Sequence, residues 1–197
     1  MKIAASPVEG VFEGSRALAM AMAPSDPADP RLDLGSLLGP LVRHGVDFVV
    51  IGGVAGLAQG SSYPTYDLDV AYSRDHANLE RLVEALHDLE VNLRGAPSDL
   101  PFLLEVRTLE SGANFTFDTD YGKFDILGDV EGSGGYDTLR EKAVVARVAG
   151  SEVRVASIDH LIAMKRAANR PKDRNMVEEY IVLADEIRRQ EDEENPS

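Results

Sequence analysis

The sequence predicts an α/β (α+β) domain, a small mixed sheet with flanking helices and a C-terminal helical pair. Three observations predict it. Short apolar runs of strand character (Phe48–Ile51, Tyr66–Tyr72, Lys123–Leu127) alternate with segments whose apolar residues recur at helical spacing. Two helical patterns close the chain, separated by Asn169-Arg170-Pro171. The composition, 44% hydrophobic over 197 residues, is that of a globular chain able to bury a core.

Residues 1–30 read as a flexible N-terminal extension. Asp26-Pro27 and Asp29-Pro30 break helices there, and a short helix over Ser15–Ala23 would stop at Pro24. The apolar piece Ala17–Ala23 imitates a signal-peptide core, but Glu9 and Glu13 stand where such a peptide is basic, so no cleaved signal is expected. Residues 31–156 form the expected core. Leu34, Leu37, Leu38, Leu41 and Val42 mark a helix ending at Gly45, with Pro40 predicting a kink or a late start. Phe48–Ile51 suits a buried strand, Gly52-Gly53 ends it, and a short helix follows to Ala58. Tyr66–Tyr72 is the next strand, and Ser73 is the expected cap of a helix bearing Leu79, Leu82, Val83, Leu86 and Leu89. Strand character continues at Leu103–Leu109, Asn114–Phe117 and Lys123–Leu127. Val144–Val148 and Glu152–Ala156 flank Ala149-Gly150-Ser151 as a hairpin. Residues 157–190 are the expected helical pair: Ser157 caps the first helix, and Pro171 opens the second, which runs to about Arg189. Its Val177, Tyr180, Ile181 and Leu183 read as core or as a partner interface. Residues 191–197 are an acidic, frayed tail.

Composition narrows the chemistry. No cysteine is present, which removes disulfides and thiolate metal sites and suits a cytoplasmic protein. Four scattered histidines show no ligand spacing. A metal site would therefore be built from oxygen, for magnesium or manganese. No apolar run approaches the roughly 20 residues that span a bilayer, so no membrane partner is expected. The net charge of −14 argues against a nonspecific nucleic-acid coat. Against that background Lys165, Arg166, Arg170, Lys172 and Arg174 cluster within ten positions, as a phosphate-binding patch or a solvated helix face.

The central pattern is Gly52-Gly53, thirteen residues, then Asp67-Leu68-Asp69-Val70. On a strand, side chains alternate faces, so Asp67 and Asp69 share one and Leu68 and Val70 take the other. Adjacent carboxylates repel, and a divalent cation relieves the repulsion. Paired metals on such acids serve phosphoryl chemistry, although a lone Asp-x-Asp also describes solvated acids on an edge strand. Glycines where a strand turns into a helix let backbone approach a phosphate, and they also occur there for plain steric reasons. Asp125, inside the apolar Phe124-Asp125-Ile126, offers a third carboxylate as metal ligand or base, or an ion pair with Lys123. Thr65, two residues before Asp67, would face the same pocket or simply serve as a β-former.

Gly52-Gly53-x13-Asp67-Leu-Asp69-Val resembles the signature of the DNA polymerase beta nucleotidyltransferase superfamily, with Asp125 at its third carboxylate. Thr65-Tyr-Asp67-Leu-Asp69 and Ser157-Ile-Asp-His-Leu-Ile-Ala-Met-Lys165-Arg-Ala-Ala, followed by Arg170-Pro-Lys172-Asp173, resemble more closely the AbiE-type and MenT-type toxins. The resemblance runs from about Leu34 to Ile187. It implies the polymerase-beta-like fold, magnesium (or manganese) on Asp67, Asp69 and Asp125, and a nucleoside triphosphate as substrate. It further implies that Lys165 contacts the phosphates, while Arg166, Arg170, Lys172 and Asp173 line or brace the pocket. The implied activity is nucleotide transfer to the 3′ end of tRNA, which blocks translation. A cognate antitoxin would restrain it, with phosphorylation of Thr65 as one mode; a phosphate there would add roughly two negative charges beside the metal site. Gly52-Gly53 stands where many superfamily members carry Gly-Ser, and Ser61 or Ser62 is the candidate for the missing hydroxyl. Met176 stands where a second Asp would follow Asp173.

Three other readings use or discard the same residues. A small-molecule, antibiotic-type nucleotidyltransferase would share the carboxylates, and its often cationic acceptor would suit the acidic chain. Protein nucleotidylation on a hydroxyl is another outcome. A binding module with a decayed site would bind triphosphate without turnover.

Overall fold

In chain order the elements are α1 (Leu34–Arg43), β1 (Phe48–Ile51), α2 (Gly52–Ala58), β2 (Asp67–Tyr72), α3 (His76–Asp88), β3 (Asn92–Leu93) and α4 (Val106–Ser111). They continue with β4 (Asn114–Thr119), β5 (Gly122–Leu127), α5 (Tyr136–Glu141), β6 (Val144–Val148), β7 (Ser151–Val155), α6 (Ile158–Ala168) and α7 (Pro171–Glu194). The computed structural model describes residues 31–97 and 102–194, apart from the side chains of Lys172, Glu191 and Glu194. The N-terminal extension with its expected short helix lies outside the described residues, as do residues 195–197.

Seven strands make one mixed sheet in the order β3-β4-β5-β2-β1-β7-β6. β1 lies inside it, antiparallel to β2 and parallel to β7, and all four of its residues are buried. That is why it reads as an unbroken apolar run rather than an alternating one. β2 and β5 run parallel, and β4-β5 and β6-β7 are antiparallel hairpins. The β6-β7 turn carries positive φ at Ala149 (48°) and Gly150 (87°), the combination that a tight two-residue hairpin needs.

Helix ends follow local chemistry. Asp33 caps α1, accepting from the Ser36 backbone at 3.1 Å and its hydroxyl at 2.8 Å. α1 therefore starts at Leu34, and Pro40 sits inside it without delaying it. Ser157 caps α6, as its position before Ile158 predicts. Two expectations fail. Leu103–Leu109 is not a strand: Val106 and Leu109 are three residues apart and lie on α4, which buries Leu109. Ser73 does not cap α3; Asp75 holds the N-cap position, and the Ser73 hydroxyl bonds the Asp75 carboxylate at 3.0 Å in the preceding turn. β3 and α5 are too short, two and six residues, to leave a periodic signal. α7 runs past Arg189 to Glu194, through good helix formers.

α6 and α7 pack together, and α7 closes on α2. Tyr180 is fully buried with its ring end against Gly56, and Val177 and Leu183 pack on the core. Ile181 instead faces outward at 37% exposure.

Candidate active site

Parallel pairing of β2 with β5 sets Asp69 directly opposite Asp125. Alternation puts Asp67 on that same face, while Leu68, Val70, Phe124 and Ile126 fill the other and are fully buried. One carboxylate oxygen from each of Asp67, Asp69 and Asp125 lies within 4.8 Å of the other two. Unit charges that close repel by about 3 kcal/mol per pair at an effective dielectric of about 20. Burial, then the neighbouring Asp67 and Asp125, push the Asp69 carboxyl up to about 7; Lys165 and Arg94 pull the other way. Burial also raises Asp125, against the opposing pull of Arg94.

The end of β1 meets this cluster. Ile51 pairs with Asp69, and the chain turns at once into α2 through Gly52, whose φ is +66°. A Cβ at Gly52 would land on the Asp69 carboxylate, so glycine is required there for both backbone conformation and space. A Cβ at Gly53 would land on the Thr65 hydroxyl and Cβ. Thr65 is 5% exposed, and its hydroxyl donates to the Asp67 main-chain oxygen at 3.2 Å and to Asp67 Oδ1 at 3.3 Å. Thr65 therefore faces the cluster, as its spacing from Asp67 predicts.

The helical pair brings positive charge. Lys165 lies near the end of α6, and its Nζ donates to Asp173 Oδ1 at 3.0 Å. Asp173 is 2% exposed in the first turn of α7, so it braces the lysine rather than lying open to solvent. Arg166 and Arg170 are exposed, with no side-chain partner among the described residues. The Lys172 side chain lies outside the described residues.

The donor set is all oxygen, crowded and partly buried, with an acid whose proton affinity is raised by its neighbours. Such a set fits a hard divalent cation of the magnesium or manganese kind.

No protein-family model matches the chain, and no curated protein matches it. Solved structures do. The lincosamide antibiotic adenylyltransferase LnuA, solved with lincomycin bound, matches at a TM-score of 0.52 and 11% identity, over 77% of this chain and 98% of that one. The chain has a nucleotidyltransferase fold. The antibiotic-resistance factor ANT(2″)-Ia also matches, at a TM-score of 0.47 and 13% identity over 78% of this chain and 82% of that one.

On the nucleotidyltransferase sheet, two details differ from expectation. Ser61 and Ser62 are engaged with other partners. Ser61 is buried and accepts from the Tyr63 backbone at 3.2 Å, and the Ser62 backbone and hydroxyl both donate to Glu179 of α7. The hydroxyl beside the carboxylates is that of Thr65. Sequence reasoning also misses Arg94. This residue follows β3, and its Nη2 sits 2.9 Å from Asp125 Oδ1. It stands alone between Asn92-Leu93 and Gly95, with no spacing to mark it.

Proposed function

We propose that this protein is a divalent-metal-dependent nucleotidyltransferase acting on an RNA hydroxyl, with the 3′ end of tRNA as acceptor and a toxin–antitoxin system as its setting. The observation that carries the chemistry is the convergence of Asp67, Asp69 and Asp125 within 4.8 Å on one sheet face. Magnesium or manganese held there would neutralise the triphosphate and polarise the acceptor hydroxyl. The chain's own groups do the rest. Gly52 and Gly53 let backbone approach the phosphates. Lys165, braced by Asp173, holds phosphate oxygens as a point charge. Asp125 takes the hydroxyl proton. The acceptor oxygen bonds to the α-phosphorus, the bond from that phosphorus to the bridging oxygen breaks, and pyrophosphate leaves.

The RNA acceptor rests on the toxin-like motifs and on Arg166 and Arg170, which stand exposed beside Lys165 with their forks available for backbone phosphates. With Lys172 they would grip the nucleotide or the acceptor stem. A cognate antitoxin would act by covering this face or by modifying Thr65. At 5% exposure that hydroxyl must first turn outward.

A small-molecule acceptor is the second reading, favoured by the likeness to LnuA over 98% of that chain. The net charge of −14 would draw a cationic acceptor to the molecule. No helix among the described residues is long and apolar enough to cross a membrane.

The test incubates the protein with magnesium, total tRNA and each labelled nucleoside triphosphate in turn, with Asp67→Ala as control. Label on tRNA with wild type alone is the expected result. Label on a lincosamide or aminoglycoside and none on tRNA would replace the RNA reading with the second one. Absence of magnesium-dependent triphosphate binding would remove both.

A further inference from the structure

Asp125 is held from behind. Its Oδ1 is buried, while the side chain as a whole keeps 17% of its surface exposed. Arg94 Nη2 lies 2.9 Å from that buried oxygen, an ion pair without hydrogen-bond alignment, and the oxygen has no hydrogen-bond partner among the described residues. The Arg94 backbone donates to the Thr116 carbonyl at 2.8 Å, which extends the β3-β4 ladder by one residue. Its Nη2 donates to the Phe117 carbonyl at 2.7 Å, and its Nε donates to Asp118 Oδ1 at 3.0 Å. The Phe117 carbonyl and the Asp118 carboxylate thus fix the guanidinium at two points, and the backbone bond fixes the residue that carries it.

We propose that Arg94 is a positioning residue for the third carboxylate: its charge holds the buried oxygen of Asp125 and leaves the other oxygen toward Asp67 and Asp69, with Asp118 anchoring the guanidinium in turn. This rests on the reading of the three acids as a metal site. The physical need is clear. A carboxylate with one oxygen free to rotate away from a crowded, repelling pair will do so. A guanidinium fixed by two other contacts opposes this with its charge. Replacing an outer partner of this kind commonly costs about ten- to a hundred-fold in metal affinity. Arg94, like Lys165, places a positive charge near Asp69.

Calorimetric titration with manganese(II) tests this without any acceptor. The proteins are wild type, Asp125→Asn, Arg94→Gln, Arg94→Lys and Asp118→Asn, each checked for folding by its thermal melt. Arg94→Gln should weaken manganese binding by about ten- to a hundred-fold, close to Asp125→Asn. Arg94→Lys should fall between Arg94→Gln and wild type, because it keeps the charge and loses the fork. Asp118→Asn, which leaves both Arg94 and Asp125 in place, should weaken binding by a smaller factor, and it decides the matter should Arg94→Gln not fold. In transfer assays kcat should drop for Arg94→Gln with little change in the KM for triphosphate. Manganese affinity at the wild-type level in folded Arg94→Gln, or in Asp118→Asn where Arg94→Gln does not fold, would overturn the proposal and leave the metal site standing. Tighter binding would also overturn it, making Arg94 a competitor of the ion. Wild type that binds no manganese would overturn the metal reading and this proposal with it.

Discussion

Gly53 and Thr65 fill one space between them. A serine at 53 would drive its Cβ into the Thr65 side chain. The space therefore admits a hydroxyl side chain at one of the two positions but not at both. Thr65→Ala should weaken magnesium-dependent triphosphate binding, and Gly53→Ser alone should weaken it as well while lowering the melting temperature. The double variant Gly53→Ser with Thr65→Ala should regain binding in an equilibrium titration; a double variant no better than Thr65→Ala would show that the two side chains do not substitute for one another. Asp69 makes a second statement at this scale. Its folded-state affinity for a proton is raised to about 7, so the native protein gains stability from protonation that is complete below the ordinary carboxylate range. That contribution is lost as pH rises through about 7. The metal-free melting temperature should accordingly fall between pH 5 and pH 8, and Asp69→Asn should flatten the fall. Magnesium added at pH 8 should restore the wild type and leave Asp69→Asn unmoved.

α2 and α7 meet where Gly56 faces the ring end of Tyr180. Alanine normally stabilises a helix relative to glycine by about 0.5–1 kcal/mol, but overpacking a closed contact costs typically 1–3 kcal/mol. Packing wins here because the obstructing group is a rigid, buried ring. Gly56→Ala should therefore destabilise by about 1–2 kcal/mol in a denaturant melt, and Tyr180→Leu in the same chain should remove most of the penalty. The elements differ in how well the sequence announces them. β2 and β5 are legible because alternation is local, and Asp67, Asp69 and Asp125 inherit their face from it. Ser157 and Pro171 mark the helical pair by their own backbone chemistry. Arg94 is silent, because its contact with Asp125 exists only once β3, β4 and β5 are paired side by side. The bracing of Lys165 by Asp173 is likewise a product of the turn between α6 and α7. Leu103–Leu109 misleads because a short apolar stretch fits either period.

Charge is the property that the whole molecule decides. A body of −14 repels a polyanion at a distance, yet Arg166 and Arg170 are exposed within five positions of Lys165. An RNA acceptor bound through them should lose affinity steeply with salt, and replacing both with glutamine should flatten that dependence by roughly one unit of slope per lost phosphate contact. A cationic small molecule should bind with a shallow dependence that the same change barely alters. The closure of α7 over α2 has one more consequence, which concerns the order of synthesis. β1, β2 and their acids emerge from the ribosome early, whereas β7 that flanks β1, the lysine that faces the acids and the tyrosine that seals α2 all come in the last quarter of the chain. A nascent or C-terminally clipped polypeptide thus carries Asp67 and Asp69 without the lysine near them and without the tyrosine that packs on α2.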